Sequence, residues 1–136
     1  MRRTMFGKDP RECAAVFAGG GIGALARAGL GETLATGSGE WPWATFTVNL
    51  VAAFVLGYAS TLLLERMPPS RFRRPFVGTG ICGGLSTFST MQVEVVRLFQ
   101  DGAWPIAIGY VLSSIVLGLV AMQFASMLAR RIGSAW

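Results

Sequence analysis

Gly80-Ile81-Cys82-Gly83-Gly84-Leu85-Ser86-Thr87-Phe88-Ser89-Thr90-Met91 is the stretch whose reading decides the fold. Three glycines and four hydroxyl side chains stand in the middle of a segment that is otherwise apolar from Pro75 to Phe99. That segment is long enough to cross a bilayer, which takes about 20 residues at about 1.5 Å each. Helix-weakening and polar residues at its centre are costly unless the backbone opens there. At membrane depth, irregular backbone persists only where protein buries it or where it lines a water-accessible cavity. The stretch therefore predicts an interrupted helix lining an ion or solute path.

The rest of the chain agrees with a membrane setting. Of its 136 residues, 52% are hydrophobic and 14% charged, which implies one domain of a non-soluble class. Its 18 glycines suit close helix packing in lipid. Cys13 and Cys82, with no histidine anywhere, rule out a disulfide framework or a zinc site and read as small packing residues. The net charge of +5 is gathered at segment ends, which fits lipid headgroups and topology and argues against nucleic acid. A cleavable signal peptide would explain the basic start, but every later segment is equally apolar.

Four apolar stretches predict four transmembrane helices in a single domain covering 1–136: Ala14 to Leu34, Ala44 to Leu64, Phe76 to Phe99 and Ile106 to Leu128. Gly37-Ser38-Gly39, Pro68-Pro69-Ser70 and Asp101-Gly102 break the chain between them. Pro42, Pro75 and Pro105 stand at helix starts, and Trp41, Trp43 and Trp104 at the membrane interface. Arg2, Arg3, Lys8 and Arg11 precede the first stretch. Arg66, Arg71, Arg73 and Arg74 fill the second loop, and Arg130 and Arg131 follow the last stretch. The other two loops carry Glu40 and Asp101 and no lysine or arginine. The positive-inside rule then places both termini in the cytoplasm of a prokaryotic cell membrane.

Polar residues inside the stretches mark the candidate path. Thr45, Asn49, Ala53 and Gly57 share one helix face, as do Tyr110, Ser114 and Gly118. Asn49 needs hydrogen-bond partners in hydrocarbon, either as interhelical glue or in a pore. Arg27 either snorkels to the interface or organises a pore mouth. Glu94, well inside a stretch and one turn beyond Thr90, has to be protonated or paired. Asn49, Ser89, Thr90, Tyr110 and Ser114 donate hydrogen bonds without a permanent charge, and a phenyl edge adds partial positive charge. A neutral donor track of this kind suits a small anion that must also leave.

The ordered set Gly-Gly-Gly-Ile-Gly-Ala-Leu-Ala-Arg (19–27), Trp-Pro-Trp-Ala-Thr-Phe-Thr-Val-Asn (41–49) and Gly-Ile-Cys-Gly-Gly-Leu-Ser-Thr-Phe-Ser-Thr (80–90) resembles the fluoride channels of the CrcB/Fluc family. The resemblance implies an all-α membrane protein with its third helix broken mid-membrane, assembled as an antiparallel dimer with two narrow fluoride pathways. It implies a structural sodium ion at the dimer centre, held by main-chain carbonyls at Gly83 and Ser86. Asn49 and Phe88 would contact fluoride, with Ser89 and Thr90 beside them. Tyr110 and Ser114 would continue the track, and Arg27 would lie near a vestibule. Passive efflux would then lower cytoplasmic fluoride, with no enzyme chemistry.

Two departures stand out. Met91 occupies a position where the family pattern carries a second phenylalanine, so one ring edge is missing. The one-sided arginine and lysine distribution is also unusual for a chain that must insert both ways. It favours a heterodimer with an oppositely oriented homologue over a homodimer. The alternatives are a non-conducting subunit of such a heterodimer and a small multidrug exporter. The exporter would need an ionisable residue deep in the first span, whereas Glu12 and Glu32 lie at its ends.

Overall fold

The computed structural model describes residues 9–33, 37–68 and 70–132, and within these the side chains of Thr33 and Arg66 are left aside. Arg2, Arg3, Lys8, Leu34 and Pro69, used above for topology and boundaries, lie outside the described residues. All regular structure among the described residues is helical: α1 (Pro10–Thr33), α2 (Trp43–Thr61), α3 (Gly83–Leu85), α4 (Phe88–Gln100) and α5 (Trp104–Ile132), with π-helical stretches over Leu62–Arg66 and Pro75–Cys82. Three helical runs, Pro10–Glu32, Trp43–Glu65 and Trp104–Ile132, are long and apolar enough to cross a membrane. The chain is an all-helical membrane protein. Its first and last helices extend beyond the sequence-based limits, α1 starting at Pro10 and α5 ending at Ile132.

Local chemistry sets the helix ends. Pro10 opens α1, where a missing N–H is harmless. The Asp9 carboxylate accepts from Arg11 N at 3.1 Å, and its carbonyl accepts from Glu12 N at 2.9 Å. α4 closes with Gly102 at φ +72°, Ala103 N donating to Leu98 O at 2.8 Å and Gly102 N to Phe99 O at 3.2 Å. A left-handed glycine with these bonds ends a helix without orphaning its last carbonyls.

Two glycine-mediated crossings hold the bundle. α1 packs most extensively on Pro75–Cys82 and α3, and α2 on α5. A Cβ on Gly19 would strike Phe76 O, one on Gly23 would strike Ile81 O, and one on Gly84 would strike Gly20 O. Backbones this close exchange dispersion and Cα–H contacts that lipid cannot match, which is why small residues gather there. At the second crossing, Gly57 lies against Met122, and its carbonyl accepts from Thr61 Oγ1 at 2.9 Å and Ser126 Oγ at 3.2 Å.

At the arginine-rich end, Arg71 contacts Asp9 at 3.3 Å and Glu12 at 2.6 Å, tying the second loop to the start of α1. Arg130 contacts Glu65 at 2.8 Å. These pairs are exposed and screened by solvent, so they orient the loop more than they stabilise it. Trp43 and Trp104 are exposed, as interfacial anchors should be. Trp41 differs: it turns inward, edge-on to Phe46 at 5.4 Å and Tyr110 at 5.7 Å. Cys82 is buried as expected, while Cys13 is exposed.

Candidate ion pathway

Between α3 and α4 the backbone leaves helical geometry for two residues: Ser86 has φ −71° and ψ 148°, Thr87 φ −142° and ψ 103°. Asn49 on α2 spans this gap. Its Oδ1 accepts from Thr87 N at 2.9 Å and its Nδ2 donates to Thr87 O at 3.3 Å, so one side chain satisfies both main-chain groups of an extended residue. A helix would have sent the Thr87 N–H to the Gly83 carbonyl; the amide takes that role instead. Asn49 thereby acts as the interhelical link expected of it, holding α2 to the start of α4 beside a cavity that it lines.

Thr87 is the hub of the local network. Its Oγ1 accepts from Thr90 N at 3.2 Å and donates to Thr90 Oγ1 at 2.7 Å, capping α4, while Ser89 Oγ lies at 3.5 Å. Among the described residues, no backbone carbonyl pairs with Phe88 N or Ser89 N. They form the positive end of a 13-residue helix. Across the gap, no backbone N–H among the described residues donates to the Gly83 or Ser86 carbonyl, and both residues are exposed. Free carbonyl oxygens are the donors that a hard cation takes, and no group of three or more His, Cys, Asp or Glu residues capable of holding a metal was found among the described residues. The two residues thus fit a main-chain cation site, and the two helix ends present opposite partial charges a few residues apart.

Asn49, Ala52, Ala53, Leu56, Cys82, Ser86 and Phe88 line a cavity of about 300 Å³. Phe88 is 68% exposed and lines the cavity. Ser89 and Thr90 are exposed beside it. Arg27 is half-buried on α1.

Met91, Tyr110 and Glu94 belong to a second cluster. Met91 is buried with Phe46, Leu98, Ala107 and Tyr110 in the chain's own core. Glu94 is paired: its carboxylate accepts from Thr45 Oγ1 at 2.6 Å and from Tyr110 OH at 2.8 Å. The Tyr110 hydroxyl, expected as a track donor, is therefore committed to Glu94. Glu94 also borders a polar cavity of about 420 Å³ with Gly37, Glu40, Arg97 and Asp101. Ser114 Oγ is buried without a hydrogen-bond partner among the described residues, and a Cβ added at Gly118, one turn on, would meet nothing within 4 Å.

Thr87 was not among the residues expected in the site, and Thr45, expected on the Asn49 face, was expected there without its partner. The hydroxyl three residues before Thr90 was the available signal for the first, as an N-cap. Nothing in the sequence pairs Thr45 with Glu94, 49 positions away.

Leaving Ser114 Oγ unpaired costs about 1–3 kcal/mol. Ser114→Ala is therefore expected to melt at or above the parent temperature in detergent. A drop would mean that the hydroxyl already has a partner.

The backbone of this helical membrane protein opens between a carbonyl end and an amide end, under a bridging asparagine, a layout in which interrupted helices can hold ions. Residues 14–126 match the family model described as CrcB-like protein, Camphor Resistance (CrcB). The chain belongs to this family. It is 56% identical over 124 residues to "Fluoride-specific ion channel FluC 1" of Mycobacterium bovis, covering 91% of this chain and 94% of that protein. It is 39% identical over 130 residues to "Fluoride-specific ion channel FluC 2" of Nocardia farcinica, with 90% and 93% covered. "Fluoride-specific ion channel FluC 1" of Streptomyces coelicolor is 40% identical over 119 residues, with 88% and 77% covered.

Proposed function

We propose that this chain is a fluoride channel that lowers cytoplasmic fluoride by passive efflux across the cell membrane. The observation that carries the reading is the Asn49 bridge to Thr87, which holds the backbone open beside the amide end of α4. Fluoride is small and strongly hydrated, so a selective path must replace its water with close donors. The Phe88 and Ser89 N–H groups, the second Asn49 amide hydrogen and the Phe88 ring edge are such donors, and none carries a full charge that would trap the ion. Relatives named as fluoride-specific channels over most of their length support the choice of ion.

In this reading Pro75–Cys82, α3 and α4 together form the third of four membrane crossings, broken mid-membrane at Ser86–Thr87. Two chains meet antiparallel, and Gly83 and Ser86 would hold a sodium ion through their carbonyls. The ion would supply fixed positive charge that cross-links the carbonyl ends. The arginines of the second loop and the last turn of α5 favour cytoplasmic termini and an oppositely oriented homologue as partner. Met91, packed in its own chain's core, supports dependence on that partner for a complete ring of donors.

The test is fluoride release from liposomes containing the purified chain, alone and with an oppositely oriented homologue. Release with either preparation, selective over chloride, is the expected result. Retention in both defeats the channel reading. Reporters on both termini settle the partner: an even mixture of orientations, with brisk release by the chain alone, rejects the heterodimer.

A further inference from the structure

Trp41 carries a buried donor with nothing to donate to. Its Nε1–H is shielded from solvent and makes no hydrogen bond among the described residues. Indole nitrogen is a donor only, so no rotation of the ring converts the group into something satisfied. The ring is held edge-on by Phe46 at 82° and Tyr110 at 74°. This packing fixes the direction of the N–H, which a solvent-facing anchor such as Trp43 does not require.

The surrounding hydroxyls make the orphan informative. Tyr110 OH and Thr45 Oγ1 are both given to the Glu94 carboxylate, at 2.8 and 2.6 Å. Among the described residues, the buried donors that remain free in this part of the bundle are Trp41 Nε1 and Ser114 Oγ. Trp41 packs on Tyr110, and Ser114 lies one turn from Tyr110 on the same face of α5. The two free donors therefore both lie near the tyrosine. A buried donor is retained at a cost unless something that accepts visits it.

We propose that Trp41 is a further anion-positioning residue, donating its indole N–H to a small anion as it passes the Tyr110 ring toward Ser114. The inference rests on the channel reading above and adds a residue that reading does not use. Met91 gives the same cluster no ring edge and no donor, so the indole supplies polar character there.

Trp41→Phe keeps an aromatic ring against Phe46 and Tyr110 and removes only the N–H. It is expected to slow fluoride release from liposomes about 5- to 10-fold, the worth of one hydrogen bond. Trp43→Phe should run at the parent rate. A second measurement follows the indole proton resonances of the full chain in micelles, with Trp41 assigned by its loss in Trp41→Phe. Fluoride should move that resonance, and chloride should leave it in place. Parental release by Trp41→Phe overturns the inference, as does a resonance indifferent to fluoride. If Asn49→Ala is slow in the same assay, the channel reading stands without it. A parent chain that releases no fluoride sinks the channel reading and the pathway role together.

Discussion

Replacing Asn49 by alanine is expected to slow fluoride release by about two orders of magnitude. The substitution removes the acceptor for Thr87 N–H and the donor to Thr87 O together. Each main-chain group left unpaired away from water costs about 1–3 kcal/mol. The extended conformation at Thr87 then loses its support, and the N–H is released to seek the helical partner at Gly83. Either outcome, a re-formed helix or a loosened gap, shifts the start of α4 beside the cavity that Asn49 and Phe88 line. Leu117→Ala provides the comparison, since Leu117 is 42% exposed and touches none of these groups. Equal release rates for the two variants would remove Asn49 from the pathway.

Gly23→Ala is expected to destabilise the chain by about 1–3 kcal/mol, the usual range for overpacking a close contact. The added methyl would collide with Ile81 O and lie 2.7 Å from Leu85 N and 3.1 Å from the Gly84 carbonyl carbon. All three are backbone atoms, so no rotamer change relieves the clash. α1 must move away from α3, which bears directly on the gap at Ser86. Gly21→Ala is the matched control, because a Cβ there meets nothing within 4 Å. Thermal melts in detergent compare the two. Identical melting would mean that α1 has room to spare at this crossing.

Much of the architecture was legible in advance because hydropathy and helix length are properties of a segment alone. The glycine content announced close helix packing, and Asp101-Gly102 a break in the chain, because a residue without a side chain favours either. The extended pair Ser86–Thr87 fell inside the stretch where glycines and hydroxyls accumulate. Partnerships were less legible. A face can be read along one helix, but which neighbour it meets depends on crossing and rotation. Tyr110 looked like a free donor and is committed to Glu94. Met91, whose place leaves the pathway one ring edge short, packs in the core. Trp41 looked like an interfacial anchor and is locked between Phe46 and Tyr110.

By itself the order of residues determined that this chain lives among lipids, that its helices approach closely through glycine, and that one segment cannot stay helical throughout. Those outcomes follow from transfer free energy, side-chain volume and backbone propensity, which act locally. Tertiary structure alone decided which polar groups satisfy one another. Asn49 reaches Thr87 across 38 positions and Thr45 reaches Glu94 across 49. Hydrogen bonding is directional and short-ranged, so donors and acceptors are matched only once the helices have set their distances. The same packing left Trp41 and Ser114 unmatched.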